Sequence, residues 1–159
     1  MKKLAIILLV LLNIGCDQVS KKIVRKHVTD TAYIEVIDNH FILTKVENTG
    51  AMLGFGQHLS PILKIIFLQT IPVIVLLILL FRILRKSDLD KWLTLAFTCV
   101  IGGGIGNLID RIAHGSVTDF FQVKLGFLKT GIFNMADVSV TMGVLLLLFL
   151  SFRSKKLEI

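Results

Sequence analysis

Four long apolar runs constrain this chain before any other feature does. About 20 apolar residues suffice to cross the hydrocarbon core of a bilayer. Such runs stand at about residues 4–22, 59–81, 92–109 and 133–152. At about 20 residues each they take up roughly half the chain, and too little remains for a second soluble domain. No internal repeat or low-complexity linker separates them. The expected architecture is therefore one integral membrane domain over 1–159, with outer loops at about 23–58 and 110–132. Composition agrees, with 54% hydrophobic and 18% charged residues, against about 45–50% and about 25% in soluble domains. The net charge of +7 would suit a nucleic-acid partner, but the basic residues form short clusters between apolar runs, as in membrane proteins. No nucleic-acid motif is present. Two cysteines, Cys16 and Cys99, are too few for a disulfide scaffold and have no metal-site spacing.

An even number of spans puts both termini on one side. Lysines and arginines divide equally between the two sides, but one set lies in short segments beside span ends, where the positive-inside rule acts most strongly. That set is Lys2, Lys3, Arg82, Arg85, Lys86, Lys91, Arg153, Lys155 and Lys156. Both termini are therefore expected in the cytoplasm. The first outer loop reads partly as strand. Tyr33-Ile-Glu-Val-Ile37 and His40-Phe-Ile-Leu-Thr-Lys-Val-Glu47 are rich in β-branched and aromatic residues, with Asp38-Asn39 as the turn. The fold class expected is membrane all-α with a small β element: four transmembrane helices and a small extracytoplasmic sheet from the first outer loop.

An ionisable side chain at or near a span is expensive and points to function by default. Asp17 and Lys21 follow the first run, and Asn48 precedes the second. Asn107, Asp110 and Arg111 end the third, Asp119 lies in the loop beyond, and Asn134 and Asp137 open the fourth. All fall in the same outer layer. Structural roles are available for several of them. Asp17 and Lys21 are spaced as an i,i+4 ion pair worth a few tenths of a kcal/mol, and Asp110-Arg111 could be an interfacial anchor pair. Asn134 and Asp137 have capping-box spacing, with Asp in place of the usual Glu. Asp119, between Val117 and Phe120-Phe121, has no such explanation.

Paired, Asp119 and Asp137 become chemically specific. Asp137 would lie only about 4 Å into the fourth span, at 1.5 Å per residue, within reach of the loop carrying Asp119. Two close carboxylates share a proton, and their titration belongs to the pair. The ionised member can take a proton from water while the protonated member hydrogen-bonds a scissile carbonyl. The helix N-terminus favours a charged Asp137 and burial a neutral one, so the base is left unassigned at this stage.

Other chemistries find less support. Gly102-Gly-Gly-Ile-Gly106 lies inside a span with no strand before it, so close helix packing and not phosphate binding is expected. That packing would also turn Asn107 and Arg111 toward the site. Pro72 is expected to kink the second span. The four histidines lack zinc-site spacing, and no metal or cofactor is called for. Ser20 and Lys21 are adjacent and would not face each other on a helix, which counts against a Ser-Lys protease. The N-terminal Met-Lys-Lys, apolar run and Asn13-Ile-Gly-Cys16 imitate a lipoprotein signal peptide. Asn13 is poorly suited to its place before the cysteine and three further spans follow, so this segment is read as a retained span. Rival functions are a small four-span transporter or channel using Asp119 and Asp137 as proton or cation ligands, and a non-catalytic membrane anchor.

Taken in order, these residues resemble lipoprotein signal peptidase (signal peptidase II), a bacterial membrane aspartic protease family. Asp17-Gln-Val-Ser-Lys21 is similar to its Asp-x-x-Thr/Ser-Lys motif and Asn48-Thr-Gly50-Ala51 to its Asn-x-Gly-Ala motif. Gly106-Asn-Leu-Ile-Asp-Arg111 is similar to Gly-Asn-x-x-Asp-Arg. Val117-Thr-Asp-Phe120 and Phe133-Asn-Met-Ala-Asp137 resemble the segments bearing the catalytic aspartates. The resemblance implies cleavage of diacylglyceryl-modified prolipoproteins on the amino side of the lipidated cysteine, in the inner membrane of a bacterial cell and at its extracytoplasmic face. It implies contact with membrane lipid, no metal or cofactor, and inhibition by globomycin. Asp119 and Asp137 would be the catalytic dyad. Asn48, Gly50, Asn107, Arg111 and Asn134 would orient substrate or support the dyad, and Asp17, Lys21 and Asp110 would be structural or supporting. The sequence departs from the family at Met52-Leu53, where Ala and an aromatic are common, and at Val138, where Ser is frequent.

Overall fold

The structure is a computed structural model describing residues 3–86 and 88–153. Lys2, Lys155 and Lys156 of the expected cytoplasmic set lie outside the described residues. Helix α1 spans Lys3–His27, α2 Pro61–Arg85, α3 Lys91–His114 and α4 Met135–Arg153. All four are long and apolar enough to cross a membrane. Leu8, Leu12, Leu77, Phe81, Leu145 and Phe149 are each exposed. Apolar belts of this extent are stable only against lipid, and the protein is a multi-pass membrane protein.

Local chemistry sets the helix ends. Pro61 occupies the first turn of α2, where its missing N–H costs nothing. Asp90 caps α3 by accepting from the Trp92 and Leu93 amides at 2.8 and 3.1 Å. Gly115, at φ 74°, closes α3 with its N–H on the Arg111 carbonyl, a left-handed position suited to glycine. Helix α3 therefore continues past the expected boundary at 109. Asp110 and Arg111 are helical residues and not part of a loop beginning at 110. Helix α1 likewise runs beyond 22 to His27, with Arg25, Lys26 and His27 in its last turn, where positive charge suits the helix dipole. In α2 the disturbance expected at Pro72 is a π-helical stretch, Ile65–Thr70, immediately before it. Proline leaves the carbonyl four residues earlier without a donor, and a wider turn accommodates the loss.

Helix α3 is the hub. Half of its apolar window (50%) is buried, against 17% or less in the other three. Its glycines let every other helix approach. Gly102 lies against Asn13 of α1, Gly103 against the Ala136 carbonyl of α4, Gly104 against Leu76 of α2, and Gly106 against the Asp17 carboxylate. Small residues in such a run allow backbone contact where lipid supplies no hydrophobic drive. Ile6, Val10, Leu76, Phe97 and Ile101 fill the space between these approaches.

The sheet is antiparallel in the order β1 (Tyr33–Ile37), β2 (Phe41–Asn48), β3 (Val117–Leu125), β4 (Leu128–Lys129). The first two strands and the turn at Asp38-Asn39 match expectation. The sheet does not come from the first outer loop alone, because β3 and β4 come from the second. Val117 to Phe120 are all buried, so the first half of β3 shows no alternation of apolar and polar residues, whereas Phe121-Gln-Val-Lys-Leu125 does alternate and was the available strand signal. Phe120 packs with Val24 and Val28 at the end of α1, which anchors the sheet to the bundle. Val46 stands opposite Asp119, and a register shift lies between Leu43 and Val46.

A methyl group at Gly106 would sit 2.6 Å from Asp17 Oδ2, whereas one at Gly15 would meet nothing within 4 Å. Gly106→Ala is expected to destabilise the protein by about 1–3 kcal/mol, the usual cost of overpacking, and Gly15→Ala to leave it unchanged or slightly more stable. Thermal unfolding of the purified variants in one detergent checks both.

Candidate active site

The N-terminus of α4 builds one half of the site. Asn134 Oδ1 accepts from the Asp137 amide at 2.9 Å, and the Asn134 amide donates to Asp137 Oδ2 at 3.1 Å. This is the reciprocal capping box expected from the spacing, completed by Asp in place of Glu. It does not exhaust either residue. Asn134 Nδ2 also donates to Asp119 Oδ1 at 2.6 Å and to Asn107 Oδ1 at 3.1 Å. The second Asp137 oxygen accepts from Asn107 Nδ2 at 2.8 Å. Capping thus freezes the side chain that links the two carboxyl groups.

Strand β3 brings in the other half. Asp119 is on a strand, correcting its expected place in an irregular loop. It is 5% exposed. Its second oxygen accepts from Asn48 Nδ2 at 3.0 Å. Asn48, at the end of β2, is held by a donor contact to the Ala51 carbonyl and by the Gly50 amide on its Oδ1 at 2.9 Å. Gly50 is required there, because a Cβ would stand 2.6 Å from the Gly54 and Phe55 carbonyl oxygens. The Gly50 carbonyl accepts from Arg111 Nη2 at 3.0 Å, tying this loop to α3. Burial, aided by the nearby Asp137 charge, pushes the Asp119 carboxyl up to about 6, against the pull of the Asn48 and Asn134 hydrogen bonds and the Lys21 charge. Asp119 therefore holds a proton at a pH where an ordinary carboxyl has lost it.

Behind the two carboxyl groups lies a buried ionic cluster. Lys21 Nζ contacts Asp17 Oδ2 at 2.8 Å and Asp110 Oδ2 at 3.2 Å, with all three side chains fully buried. The expected i,i+4 pair exists, but it is an interior pair and not an exposed one. Asp110 and Arg111 do not form an anchor pair: Asp110 turns to Lys21 and Arg25, and Arg111 to Gly50. The sequence reading missed Gln18 and Arg25. Gln18 Nε2 reaches Asp110 Oδ1 and the Gly106 carbonyl. Arg25 contacts Asp110 Oδ2 at 2.8 Å and donates to Thr118 Oγ1 at 2.7 Å. Positions 17, 21 and 25 share one helical face, and that spacing was the available signal.

All ten residues expected at the site thus lie in one connected network. Asp119, Asp137, Asn48, Asn107 and Arg111 also line one cavity of about 550 Å³. Met52 and Leu53 stand at it, as do Val138 and Met142 of α4. Ser139 does not replace a serine at 138, since it bonds Asn13 and the Cys99 carbonyl instead. A cavity with two acidic groups, fixed amide donors and an apolar wall can hold a peptide bond and an aliphatic group together.

Comparison with known proteins agrees with this arrangement. The family model described as signal peptidase (SPase) II matches residues 8–153. A lipoprotein signal peptidase of Streptococcus thermophilus (strain CNRZ 1066) is 35% identical over 98% of this chain and 97% of its own. One from Syntrophus aciditrophicus (strain SB) is 32% identical over 82% and 81%. A solved structure described as a bacterial membrane enzyme superposes with a TM-score of 0.82 at 30% identity, over 98% of this chain and 93% of the other.

The raised Asp119 value has a measurable consequence. An unfolded aspartate ionises near 3.9 and the folded Asp119 at about 6, so this group's stabilising contribution is full below about 4 and lost as pH rises to 6. Asp119→Asn should remove that slope, and the variant should gain on the wild type by on the order of 2 kcal/mol between pH 4 and 7. Unfolding midpoints of both proteins across that range test the sign; parallel curves would refute it.

Proposed function

This chain belongs to the signal peptidase II family, and we propose that it removes signal peptides from diacylglyceryl-modified prolipoproteins, with Asp119 and Asp137 as its catalytic dyad. It is a peptidase. Neither transport nor an anchoring role is supported. The observation that carries the dyad assignment is that Asn134 bridges two carboxyl groups that both line one cavity.

The chemistry follows from the two environments. Asp119 supplies the resident proton, and its raised value supports this role. Asp137 receives N–H groups on both oxygens at a helix N-terminus, and acts as the base. Asp137 takes a proton from water as its oxygen attacks the carbonyl carbon on the amino side of the lipidated cysteine. Asp119 gives its proton to the carbonyl oxygen, producing a neutral tetrahedral diol. When the diol collapses, the C–N bond breaks, Asp137 passes its proton to the leaving nitrogen, and Asp119 recovers one from the diol hydroxyl. A carboxylic acid and a free amine remain. Arg111, whose Nε is buried without a hydrogen-bond partner among the described residues, is suited to hold a substrate carbonyl.

The apolar wall of Val138, Val140 and Met142 suits the acyl chains, which would enter from membrane lipid. The sheet would rest on the extracytoplasmic surface of the bacterial inner membrane with both termini in the cytoplasm. The basic residues Arg82, Arg85, Lys91 and Arg153, at helix ends, support that orientation. A globomycin-type inhibitor would occupy the same cavity, and 1–159 would act as one membrane unit.

Cleavage of a diacylglyceryl-modified prolipoprotein by wild type, Asp119→Asn and Asp137→Asn decides the matter. Each variant should lose at least about 10²–10⁴-fold in turnover, the scale of one general acid or base; near-normal turnover by a folded variant would defeat the dyad. In the wild type, kcat/KM should fall as pH rises through about 6, because the free enzyme there loses the Asp119 proton. A pH profile rising through that range would reverse the assignment of roles.

A further inference from the structure

We propose that Lys21 is a positioning residue for the dyad: its buried ammonium fixes the amide orientation of Asn107 and so keeps an N–H donor on Asp137. The proposal rests on the dyad assigned above. Lys21 lies on α1 and touches neither carboxyl group of the dyad directly. Its three protons have three acceptors: Asp17 Oδ2 at 2.8 Å, Asp110 Oδ2 at 3.2 Å and Asn107 Oδ1 at 2.8 Å. The two aspartates account for its charge. The third contact leads toward the chemistry.

An asparagine amide has two ends of nearly equal shape and opposite hydrogen-bonding sense. Asn107 presents its oxygen to Lys21 Nζ and to Asn134 Nδ2, and its nitrogen to Asp137 Oδ1. Reversing the amide would set an NH₂ group against an ammonium and a second NH₂, and a carbonyl oxygen against a carboxylate. Each of these three contacts would change from attractive to repulsive or become empty in a buried setting, where an unmet polar group costs most. Asn134 adds a neutral preference and the Asp137 carboxylate a charged one. Lys21 adds a second charged one from the oxygen side, roughly twice as strong as a neutral bond. Helix α1 also grips the other side of the α4 N-terminus, through Asp17 Oδ1 on the Ala136 amide at 2.9 Å. The Asp17–Lys21 pair thus meets both the backbone and, through Asn107, the carboxyl group of the turn bearing Asp137.

The test separates positioning from mere support of the fold. Lys21→Met removes the ammonium and leaves Asp17 unpaired. Lys21→Met with Asp17→Asn removes the ion pair as a unit, a change that buried pairs often tolerate. Thermal unfolding, kcat and KM are measured for both, with the lipid-modified prolipoprotein used above. The double variant is expected to unfold near the wild-type midpoint. Its kcat should remain about 10–100-fold low, the scale for groups standing behind metal ligands, with KM changed by less than about 3-fold, since the lost contact is not one to the bound substrate. On an Asn107→Ala background Lys21→Met should lower kcat by less than about 2-fold, since residues acting through one another are not additive. A double variant that folds with wild-type kcat, one that does not fold, or a Lys21→Met factor that multiplies fully on Asn107→Ala would each overturn the proposal. Should the wild type itself fail to cleave the substrate, the fault lies with the proposed function and not with Lys21.

Discussion

An ammonium with no access to water must be matched atom by atom, and the protein is organised around doing so for Lys21. Its partners come from α1 and α3, and those partners hold further elements: Asp110 Oδ2 accepts from the Thr118 amide of β3 at 3.3 Å, and Asp17 from the Ala136 amide of α4. Removing two charges from water costs several kcal/mol each, so the cluster forms only when all these elements arrive together. Its charges are also balanced. Lys21 and Arg25 face Asp17 and Asp110, which leaves Arg111 opposite the pair Asp119 and Asp137. One shared proton on that pair makes these seven groups neutral together, the state that the proposed dyad needs.

The glycines of α3 make this convergence possible. A helix packed at ordinary distance would hold Lys21 of α1 too far out to reach Asp110 and Asn107 of α3. With Gly106 beneath it, the Asp17 carboxylate rests on the α3 backbone. The same device at Gly103 brings the Ala136 carbonyl against α3, within the turn that carries Asp137. Close packing and chemistry therefore share residues. Asn134 does so most fully, because its single side chain ends a helix, fixes Asp137 and holds Asp119. Such double use explains why a stabilising cap and a proposed catalytic group are compatible: the cap restrains the carboxyl group without filling the cavity in front of it.

Legibility varied with how far each signal reached along the chain. The four spans were plain because a span is a continuous run. The Asn134 cap was plain because its partner is three residues away. The α1 stripe is only half legible: Asp17 and Lys21 stand out as an i,i+4 pair, but nothing in the local sequence ties Arg25, one turn further on the same face, to Asp110 far along the chain. The first half of strand β3 is masked because Val117 to Phe120 are all buried, while the alternation of Phe121-Gln-Val-Lys-Leu125 is legible as strand. The length of α3 was misjudged because Asp110 and Arg111 look like the end of a membrane span, whereas the backbone continues until Gly115 permits a left-handed turn.

By itself the sequence determined the class of protein, the number of membrane helices, the two aspartates proposed as the dyad and the family motifs, because each depends on composition or short spacing. Tertiary structure decided how these parts act together. It made the Asp17–Lys21 pair an interior cage, split Asp110 from Arg111, set Asn134 between the two carboxyl groups and placed Val46 opposite Asp119. The physical reason is that burial and hydrogen-bond partnership belong to pairs of groups distant along the chain, and only packing fixes which groups lose water together.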